Sequence, residues 1–243
     1  RNTAPAIALA AYEAITLYDS PKLLVQTADH FIKDLDVFGS VIGKAFASEA
    51  SFVLFGVKPT RPETGYGYIE CGDARGNEFL VSSFQEKPDA KTAESFLKAG
   101  NFLWNSGMFM LDANAYLEAL QTFEPAIYQA CKQAFDKASS DLDFKRMDEK
   151  AFAESPSISI DYAVMERVQD LHVIPYHGDW SDVGAWDSVA ELASKDANGN
   201  SIQGDGVLIE SENTFIRSES RLVTGIGLSQ LVVVETRDAV LVA

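Results

Sequence analysis

The stretch SFVLFGVKPTRPETGYGYIE, residues 51–70, indicates the class of fold, because a loop in it joins two segments with the character of strands. Its first six residues form a continuous apolar run of strand length, and YIEC (68–71) begins the second strand. In the loop between them, Gly65 and Gly67 flank Tyr66, so the backbone there can approach a flat ligand closely. The same pattern also fits an ordinary surface loop with hairpin glycines.

Strand-like and helical patterns alternate on both sides of this stretch. The further predicted strands are LLV (23–25), FLVSSFQ (79–85), FLWNSGMFML (102–111) and LHVIPY (171–176). Helices are predicted at 2–14, at 34–47, from a cap at Asp89 to a stop at Gly100, at 112–138 with a division at Pro125, and in DYAVMERV (161–168). HGDWSDVGAWDSV (177–189) is predicted to turn into a further helix. This alternation predicts a mixed α/β sheet covered by helices on both faces.

The pattern changes after Asp196. From there to Ala243 only short β segments recur, roughly every eight residues, and no helical period is present, which suits a β-solenoid or a small sandwich. We therefore divide the chain into a domain at 1–195 and a β segment at 196–243. The chain opens directly on a helix and stops within an apolar strand, so we expect further residues before Arg1 and after Ala243.

Composition and charge exclude several functions. The chain carries 36 acidic and 20 basic residues, for a net charge of −16, and such a surface repels nucleic acid and anionic membranes. No run is long and apolar enough to span a bilayer, and no signal peptide is evident, so we expect a soluble, cytoplasmic protein. Phosphorylated substrates would need a divalent metal or a few well-placed cations.

Three polar residues lie where strands end or are interrupted. Glu86 and Lys87 follow a predicted strand, where a carboxylate can accept from sugar hydroxyls and an ammonium can meet a phosphate. An exposed ion pair is the plain alternative. Asn105 places an amide within the apolar segment WNSGMF, and a buried amide needs a partner, which could be a sugar.

Three aspartates follow strand-like segments. Asp29 comes after the first strand, and ligands bind at the carboxyl ends of strands in open α/β sheets. Asp161 follows the segment SISI, and both residues could simply cap the next helix. Asp182 lies between two tryptophans, and one or two carboxylates are what Mg²⁺ usually takes from a protein. Asp29 and Asp182 could form such a pair, although sequence spacing cannot bring them together.

Seven motifs, taken in order, carry a resemblance to a known family. They are RNTAPAIALAA (1–11), ADH (28–30), FGVKPTRPETGYGYIE (55–70), FQEKP (84–88), WNSGMF (104–109), SIDYAVMER (159–167) and WSDVGAW (180–186). The set closely resembles the bacterial mannose-1-phosphate guanylyltransferases of the nucleotidyltransferase superfamily. The resemblance implies an α/β fold with a Rossmann-like mixed sheet flanked by helices. RLVTGIGLSQLVVVETRDAVLVA (221–243) resembles the short left-handed β-helix that follows the catalytic domain in that family.

The resemblance also implies roles for particular residues. Asp29 and Asp182 match the pair that binds Mg²⁺, and together with Lys87 they are the expected catalytic residues. The expected substrate contacts are Arg1, Asn2 and Thr3 beside the nucleotide at a helix start, Gly65 and Tyr66 near the sugar nucleotide, Glu86 near the mannose, Asn105 at a sugar hydroxyl and Asp161 in the same pocket. The family's Gly-rich triphosphate loop has no counterpart here, and its place would be before Arg1.

The reaction implied by the resemblance is a nucleotidyl transfer. Mannose 1-phosphate would attack the α-phosphorus of GTP in line, giving GDP-mannose and pyrophosphate, a reaction that needs positioning and charge neutralisation. One alternative is the same chemistry with UTP or dTTP and glucose 1-phosphate. Another is a non-catalytic regulatory subunit that binds a sugar nucleotide. We expect a homodimer or larger homo-oligomer, because strand edges of the β segment are unpaired.

Overall fold

The computed structural model describes all residues, Arg1–Ala243. Contacts between residues divide the chain into two compact units. The first comprises residues 1–28 and 32–180, and the second comprises residues 29–31 and 181–243. No helix in either unit has the length and apolar character that crossing a bilayer requires.

A mixed six-stranded sheet forms the centre of the first unit. Up to residue 181 the strands are β1 (Lys22–Val25), β2 (Phe31–Ile32), β3 (Phe52–Val57), β4 (Tyr68–Arg75), β5 (Glu78–Gln85), β6 (Phe102–Asp112), β7 (Ser139–Asp141), β8 (Phe144–Arg146), β9 (Leu171–Tyr176) and β10 (Trp180–Ser181). The sheet has the order β1-β6-β3-β9-β5-β4, with β6 also paired to β4. Strands β3 and β9 are parallel and the other pairs are antiparallel, which confirms the predicted mixed sheet.

Helices cover both faces of this sheet. They are α1 (Thr3–Leu17), α2 (Leu35–Ala47), α3 (Ala90–Ala99), α4 (Ala113–Phe123), α5 (Pro125–Asp136) and α6 (Glu149–Ala153). Successive side chains of a strand point to opposite faces. In β3, Phe52 and Leu54 therefore join one core with α1, α4 and α5, while Val53 and Phe55 join another with Val41 of α2.

Local sequence signals set several helix ends where they were expected. The side chain of Asp89 accepts from the backbone N–H of Thr92 at 2.8 Å, and Gly100 ends α3 in the left-handed conformation with φ 76°. Pro125 begins α5, because proline fits the first helical position but not a helix interior.

One predicted helix differs in the structure. DYAVMERV forms only a five-residue π-helical turn, Asp161–Met165. HGDWSDVGAWDSV turns into a helix as predicted, and this helix is α7 (Trp186–Leu192). The side chain of Asp182 accepts from the N–H of Gly184, and Val183 has φ 50°, so this segment turns before the helix can start.

The second unit stacks short strands in parallel. These are β11 (Ser201–Gln203), β12 (Gly206–Ile209), β13 (Phe215–Ser218), β14 (Val223–Ile226), β15 (Val232–Glu235) and β16 (Val240–Val242). Strands β11, β13 and β15 pair in parallel order and β12 pairs with β14, as in a solenoid of successive coils, whereas β16 turns back antiparallel to β15. This arrangement favours the solenoid over the sandwich.

Helix α7 packs with the solenoid. Its residues Trp186 and Val189 lie against Phe215, Val232 and Val234. In the division by contacts, α7 therefore falls within residues 181–243 of the second unit. The domain boundary at residue 196, which follows the change of sequence pattern, stays a prediction.

One buried carboxylate organises the coils of the second unit. Glu235 is only 2% exposed. Its oxygens accept from the backbone N–H groups of Glu219, Ser220 and Arg221 at 3.1, 2.9 and 3.2 Å, from the Ser220 hydroxyl at 2.7 Å, and from the Arg221 guanidinium at 2.9 Å. These donors, above all those of Ser220, lower the pKa of Glu235 to about 2.

We predict that Glu235→Gln loosens this turn. The amide has one acceptor oxygen for donors that now meet two, so hydrogen-exchange protection of the Glu219–Arg221 amides should fall on the order of tenfold at pH 6. Because the folded pKa lies below the unfolded value of about 4.3, the stabilisation is complete above about pH 4.5 and is lost as the pH falls towards 2. In the wild-type protein, the hydrogen-exchange protection of these amides should therefore fall as the pH falls towards 2. In Glu235→Gln, the protection should lack this dependence on pH.

The matched control is Glu219→Gln, which changes an exposed glutamate on the same turn. Equal protection in Glu235→Gln and in this control would contradict the role given to Glu235.

Candidate functional site

Two backbone hydrogen bonds join the Gly65–Gly67 loop to strands β5 and β6. The N–H of Lys87, just past the end of β5, donates to the carbonyl of Tyr66 at 3.2 Å. The N–H of Asn105, in the middle of β6, donates to the carbonyl of Gly67 at 2.8 Å. Three segments that sequence analysis selected separately therefore meet at one place.

Gly67 leaves room for a carboxylate. A Cβ atom at this position would lie 2.3 Å from Oε2 of Glu86 and 3.2 Å from Cβ of Asn105, so any larger residue would displace the glutamate. The glycine thus permits a close approach of backbone to the Glu86 side chain.

Asn105 and Asp161 are bonded to each other. The Asn105 amide nitrogen donates to Oδ1 of Asp161 at 2.9 Å, while its oxygen accepts from the N–H of Gly107 at 3.1 Å. These two bonds set the orientation of the amide. Asp161 is the first residue of the π-helical turn, a feature that is frequent at functional sites.

Glu86 is the most electrostatically unusual residue of this pocket. Its side chain is 11% exposed, its Oε2 atom has no hydrogen-bond partner, and its Oε1 atom lies 3.8 Å from the Lys87 ammonium. Burial, followed by the negative charge of Asp161, raises the pKa of Glu86 to about 7. Burial also raises the pKa of Asp161, although the hydrogen bond from Asn105 opposes this.

Aromatic rings pack around Tyr66. Its ring meets Trp104 edge to face with the centroids 5.2 Å apart, and it meets Trp180 in the same way at 5.5 Å. Tyr68 and Trp104 pair across β4 and β6, and the hydroxyl of the first and the indole nitrogen of the second are buried without partners.

Glu166 also belongs to this group of residues, although nothing in its sequence setting singled it out. Burial raises the pKa of its carboxyl, while a hydrogen bond from the Glu86 backbone N–H opposes this rise. The N–H of Glu166 donates to the carbonyl of Asp161 at 3.0 Å, which is the five-residue spacing of a π-helix. The motif SIDYAVMER contains this glutamate, but the α-helix predicted there would not give its N–H a bond to an acceptor five residues back.

The predicted nucleotide contacts Arg1, Asn2 and Thr3 lie at the start of α1. The Thr3 N–H donates to the Asn2 side chain, and the N–H of Ala4 donates to the carbonyl of Ile158. The Thr3 hydroxyl accepts from the N–H of Ile160 at 2.9 Å, and the Arg1 guanidinium donates to the carbonyl of Ala153. The helix start is thus tied to the chain that leads into Asp161.

The resemblance places these residues beside a nucleotide, at a helix start whose free N–H groups would favour a phosphate. The N–H groups of Thr3 and Ala4 have protein acceptors in the structure. Pro5 has no N–H to offer.

Asp29 and Asp182 belong to the second unit. Asp29 is exposed and lies two residues before β2, Asp182 directly follows β10, and β2 pairs with β10. No three His, Cys, Asp or Glu residues anywhere in Arg1–Ala243 form a group that could enclose a metal ion. Of the Asp182 oxygens, Oδ1 accepts from the Gly184 N–H at 3.2 Å. Two carboxylates match the one or two that Mg²⁺ takes from a protein when phosphates supply further oxygens.

Comparisons with known proteins identify both parts of the chain. The family model for nucleotidyl transferases matches residues 1–199, and the model of the MannoseP isomerase/GMP-like β-helix domain matches residues 204–243. The crystal structure described as mannose-1-phosphate geranyltransferase from Thermus thermophilus superposes with a TM-score of 0.88 at 31% sequence identity, covering 100% of this chain and 71% of that one.

Relatives from bacteria align along the whole chain. Xanthan biosynthesis protein XanB of Xanthomonas campestris pv. campestris (strain B100) is 48% identical over 244 residues, which cover 100% of this chain and 52% of that protein. A mannose-1-phosphate guanylyltransferase of Salmonella montevideo is 47% identical over 252 residues, with 100% and 53% covered. The chain thus spans about half the length of the curated relatives it matches.

We predict that Glu86→Gln stabilises the protein above neutral pH. The folded pKa of Glu86, about 7, lies above the unfolded value of about 4.3, so ionisation costs stability as the pH rises between them. Urea unfolding at pH 8 should show the variant about 1–3 kcal/mol more stable than wild type, and at pH 4 the difference should nearly vanish.

The control is Glu94→Gln, because Glu94 is an exposed glutamate on α3 whose ion-pair partner is Lys98. A Glu86→Gln variant that is no more stable than wild type at pH 8 would show that the Glu86 carboxylate is not held at a cost.

Proposed function

Because the chain belongs to the nucleotidyl transferase family, we propose that it joins GTP and α-D-mannose 1-phosphate to give GDP-mannose and pyrophosphate. The observation that carries the proposal is the group of side chains around Glu86, which we propose as the sugar-phosphate pocket: a buried carboxylate oxygen without a partner lies beside the bonded pair Asn105 and Asp161. The names of relatives such as the guanylyltransferase of Salmonella montevideo support mannose and guanine as the two halves of the product.

The pocket suits a sugar phosphate in its balance of donors and acceptors. Carboxylates are acceptors only, and a sugar presents several hydroxyl donors, so Glu86 and Asp161 offer the missing partners. The Lys87 side chain is 60% exposed, and its ammonium is the nearby cation for a phosphate. Its backbone N–H is bound to Tyr66, so the ammonium extends from a fixed point.

The proposed chemistry is an in-line displacement at the α-phosphorus of the nucleotide. An oxygen of the sugar phosphate forms the new P–O bond, the bond to the β-phosphate oxygen breaks, and pyrophosphate carries away the electron pair. The protein needs no nucleophile of its own for this step. Its task is to hold the sugar phosphate, with Glu86 and Asp161 on the hydroxyls and Lys87 on the phosphate.

Asp29 and Asp182 are the proposed ligands of Mg²⁺. Their carboxylates are the oxygen donors this cation prefers, and a bound Mg²⁺ would neutralise phosphate charge. A chain with a net charge of −16 makes such neutralisation more necessary. We further propose a cytoplasmic location, because Cys71 and Cys131 are both free thiols. Assembly as a homodimer or larger oligomer stays a prediction.

The first test is pyrophosphate release in the presence of Mg²⁺ across a matrix of nucleoside triphosphates and sugar 1-phosphates. The signal should be strongest with GTP and mannose 1-phosphate. A maximum with UTP or dTTP and glucose 1-phosphate would keep the reaction type and overturn the proposed substrates. Release with no pair would contradict the proposed activity of the chain.

We predict that Asp182→Asn lowers kcat by about a hundredfold, because an amide is a poor ligand for Mg²⁺, while the Kd for mannose 1-phosphate changes less than about threefold. The amide oxygen can still accept from the Gly184 N–H, so the local turn should persist. Steady-state kinetics and calorimetric titration provide the two numbers. Asp205→Asn, at an exposed loop position, is the control. Equal losses of kcat and affinity would rule out Asp182 as a metal ligand.

A further inference from the structure

The loop that leads from β3 to β4 is organised by one side chain, that of Glu63. Its Oε1 atom accepts from the backbone N–H groups of Thr64 and Gly65 at 3.0 and 3.1 Å. Its Oε2 atom accepts from Nε of Arg61 at 3.2 Å, and its own N–H donates to the carbonyl of Arg61 at 3.0 Å. The side chain therefore makes three hydrogen bonds within the five residues Arg61–Gly65, and the backbone N–H adds a fourth.

The Glu63 side chain is partly buried, unlike its neighbours in the chain. The residues around it in the chain are exposed, whereas its own side chain is only 28% exposed. The N–H of Gly65, and then Arg61, lower the pKa of the Glu63 carboxyl, so the ionised form is the one that the loop binds. Pro59 and Pro62 supply no N–H groups of their own to this loop.

Tyr66 and Gly67, three and four residues after Glu63, contact residues of the proposed pocket. The Tyr66 carbonyl accepts from Lys87, the Gly67 carbonyl accepts from Asn105, and Gly67 provides the space for Glu86. The Tyr66 ring lies between Trp104 and Trp180. A loop held at Thr64 and Gly65 thus delivers its next two residues to the groups that would bind the sugar phosphate.

The Arg61 guanidinium completes the arrangement. It lies over the ring of Trp104, 5.8 Å from its centroid, while its Nε atom is bound to Glu63. Trp104 also contacts Tyr66, so a chain of contacts runs from Glu63 through Arg61 and Trp104 to Tyr66. Removing the Glu63 carboxylate breaks the first link of this chain and the two bonds that hold Thr64 and Gly65.

We propose that Glu63 is a positioning residue for the sugar-phosphate pocket: its carboxylate folds the Arg61–Gly67 loop before any ligand arrives. This inference rests on the proposed function for its kinetic consequence. A loop that is already ordered does not have to be ordered by the substrate, so the binding-competent state is the main one. Glu63 itself makes no contact with the reacting atoms.

The expected effect of Glu63→Ala is therefore on KM. When only a fraction of molecules has the loop in place, apparent affinity falls by that fraction, whereas kcat at saturation changes little. We expect KM for mannose 1-phosphate to rise about tenfold and kcat to stay within about twofold of wild type.

Glu63→Gln distinguishes the role of Oε1, which accepts from Thr64 and Gly65, from that of Oε2, which accepts from Arg61. The amide oxygen can still accept from Thr64 and Gly65, but the amide NH₂ would face the donor Nε of Arg61. This variant should show a smaller rise in KM, about threefold. Glu94→Ala removes an exposed carboxylate on α3 and should leave both constants unchanged.

A second measurement needs no substrate. Trp104 and Trp180, two of the three tryptophans, border Tyr66, so a loosened loop should expose them to acrylamide. Quenching should increase in Glu63→Ala, increase less in Glu63→Gln, and remain at the wild-type level in Glu94→Ala. Saturating mannose 1-phosphate should reduce the difference, because binding orders the loop.

The two measurements distinguish failure of the inference from failure of the proposed function. Wild-type KM and wild-type quenching in Glu63→Ala would overturn the positioning role, and so would a loss of kcat without a change in KM. A wild-type protein that transfers no nucleotide would overturn the proposed function, and the ordering of the loop by Glu63 would then be judged by quenching alone.

Discussion

The burial of β3 on both faces is the constraint from which the rest of the first unit follows. Residues Phe52–Gly56 are buried without interruption, so helices must cover both sides of the strand. Strand β3 pairs with β9 in parallel and with β6 antiparallel, and the register between β3 and β6 places Gly56 opposite Asn105. The Asn105 amide is therefore placed by a strand that is buried on both faces, at a position where β6 changes from apolar to polar.

Much of this fold was predictable because its signals are local. A continuous apolar run, an aspartate cap on α3 and a proline at the start of α5 each act within a few residues. The recurrence of short β segments likewise indicated a β-solenoid or a small sandwich, and the parallel pairing of the strands decides for the solenoid. Membership of the candidate pocket was partly predictable too, because Glu86, Asn105 and Asp161 are polar residues at strand ends or within apolar segments.

What sequence could not supply was the consequence of contacts between distant residues. The π-helical turn at Asp161 has the composition of an α-helix, and only its docking against Asn105 and the start of α1 distinguishes it. The start of α7 depends on a left-handed Val183, for which no propensity argues. The role of Glu63 was likewise hidden, because a glutamate between a proline and a threonine has no pattern of its own.

Two glutamates with little-exposed side chains differ in the donors that the fold gives their carboxylates. Glu235 receives donors from three backbone N–H groups, a hydroxyl and a guanidinium, and its pKa falls to about 2, so its charge is stabilised by the fold. Glu86 has an equally buried oxygen with no donor at all, and its pKa rises to about 7. A few backbone N–H groups would suffice as donors to the Glu86 carboxylate, as they do for Glu235. A buried carboxylate oxygen left without a donor costs stability, and this cost is in keeping with the proposed function, in which a sugar hydroxyl would donate to Glu86.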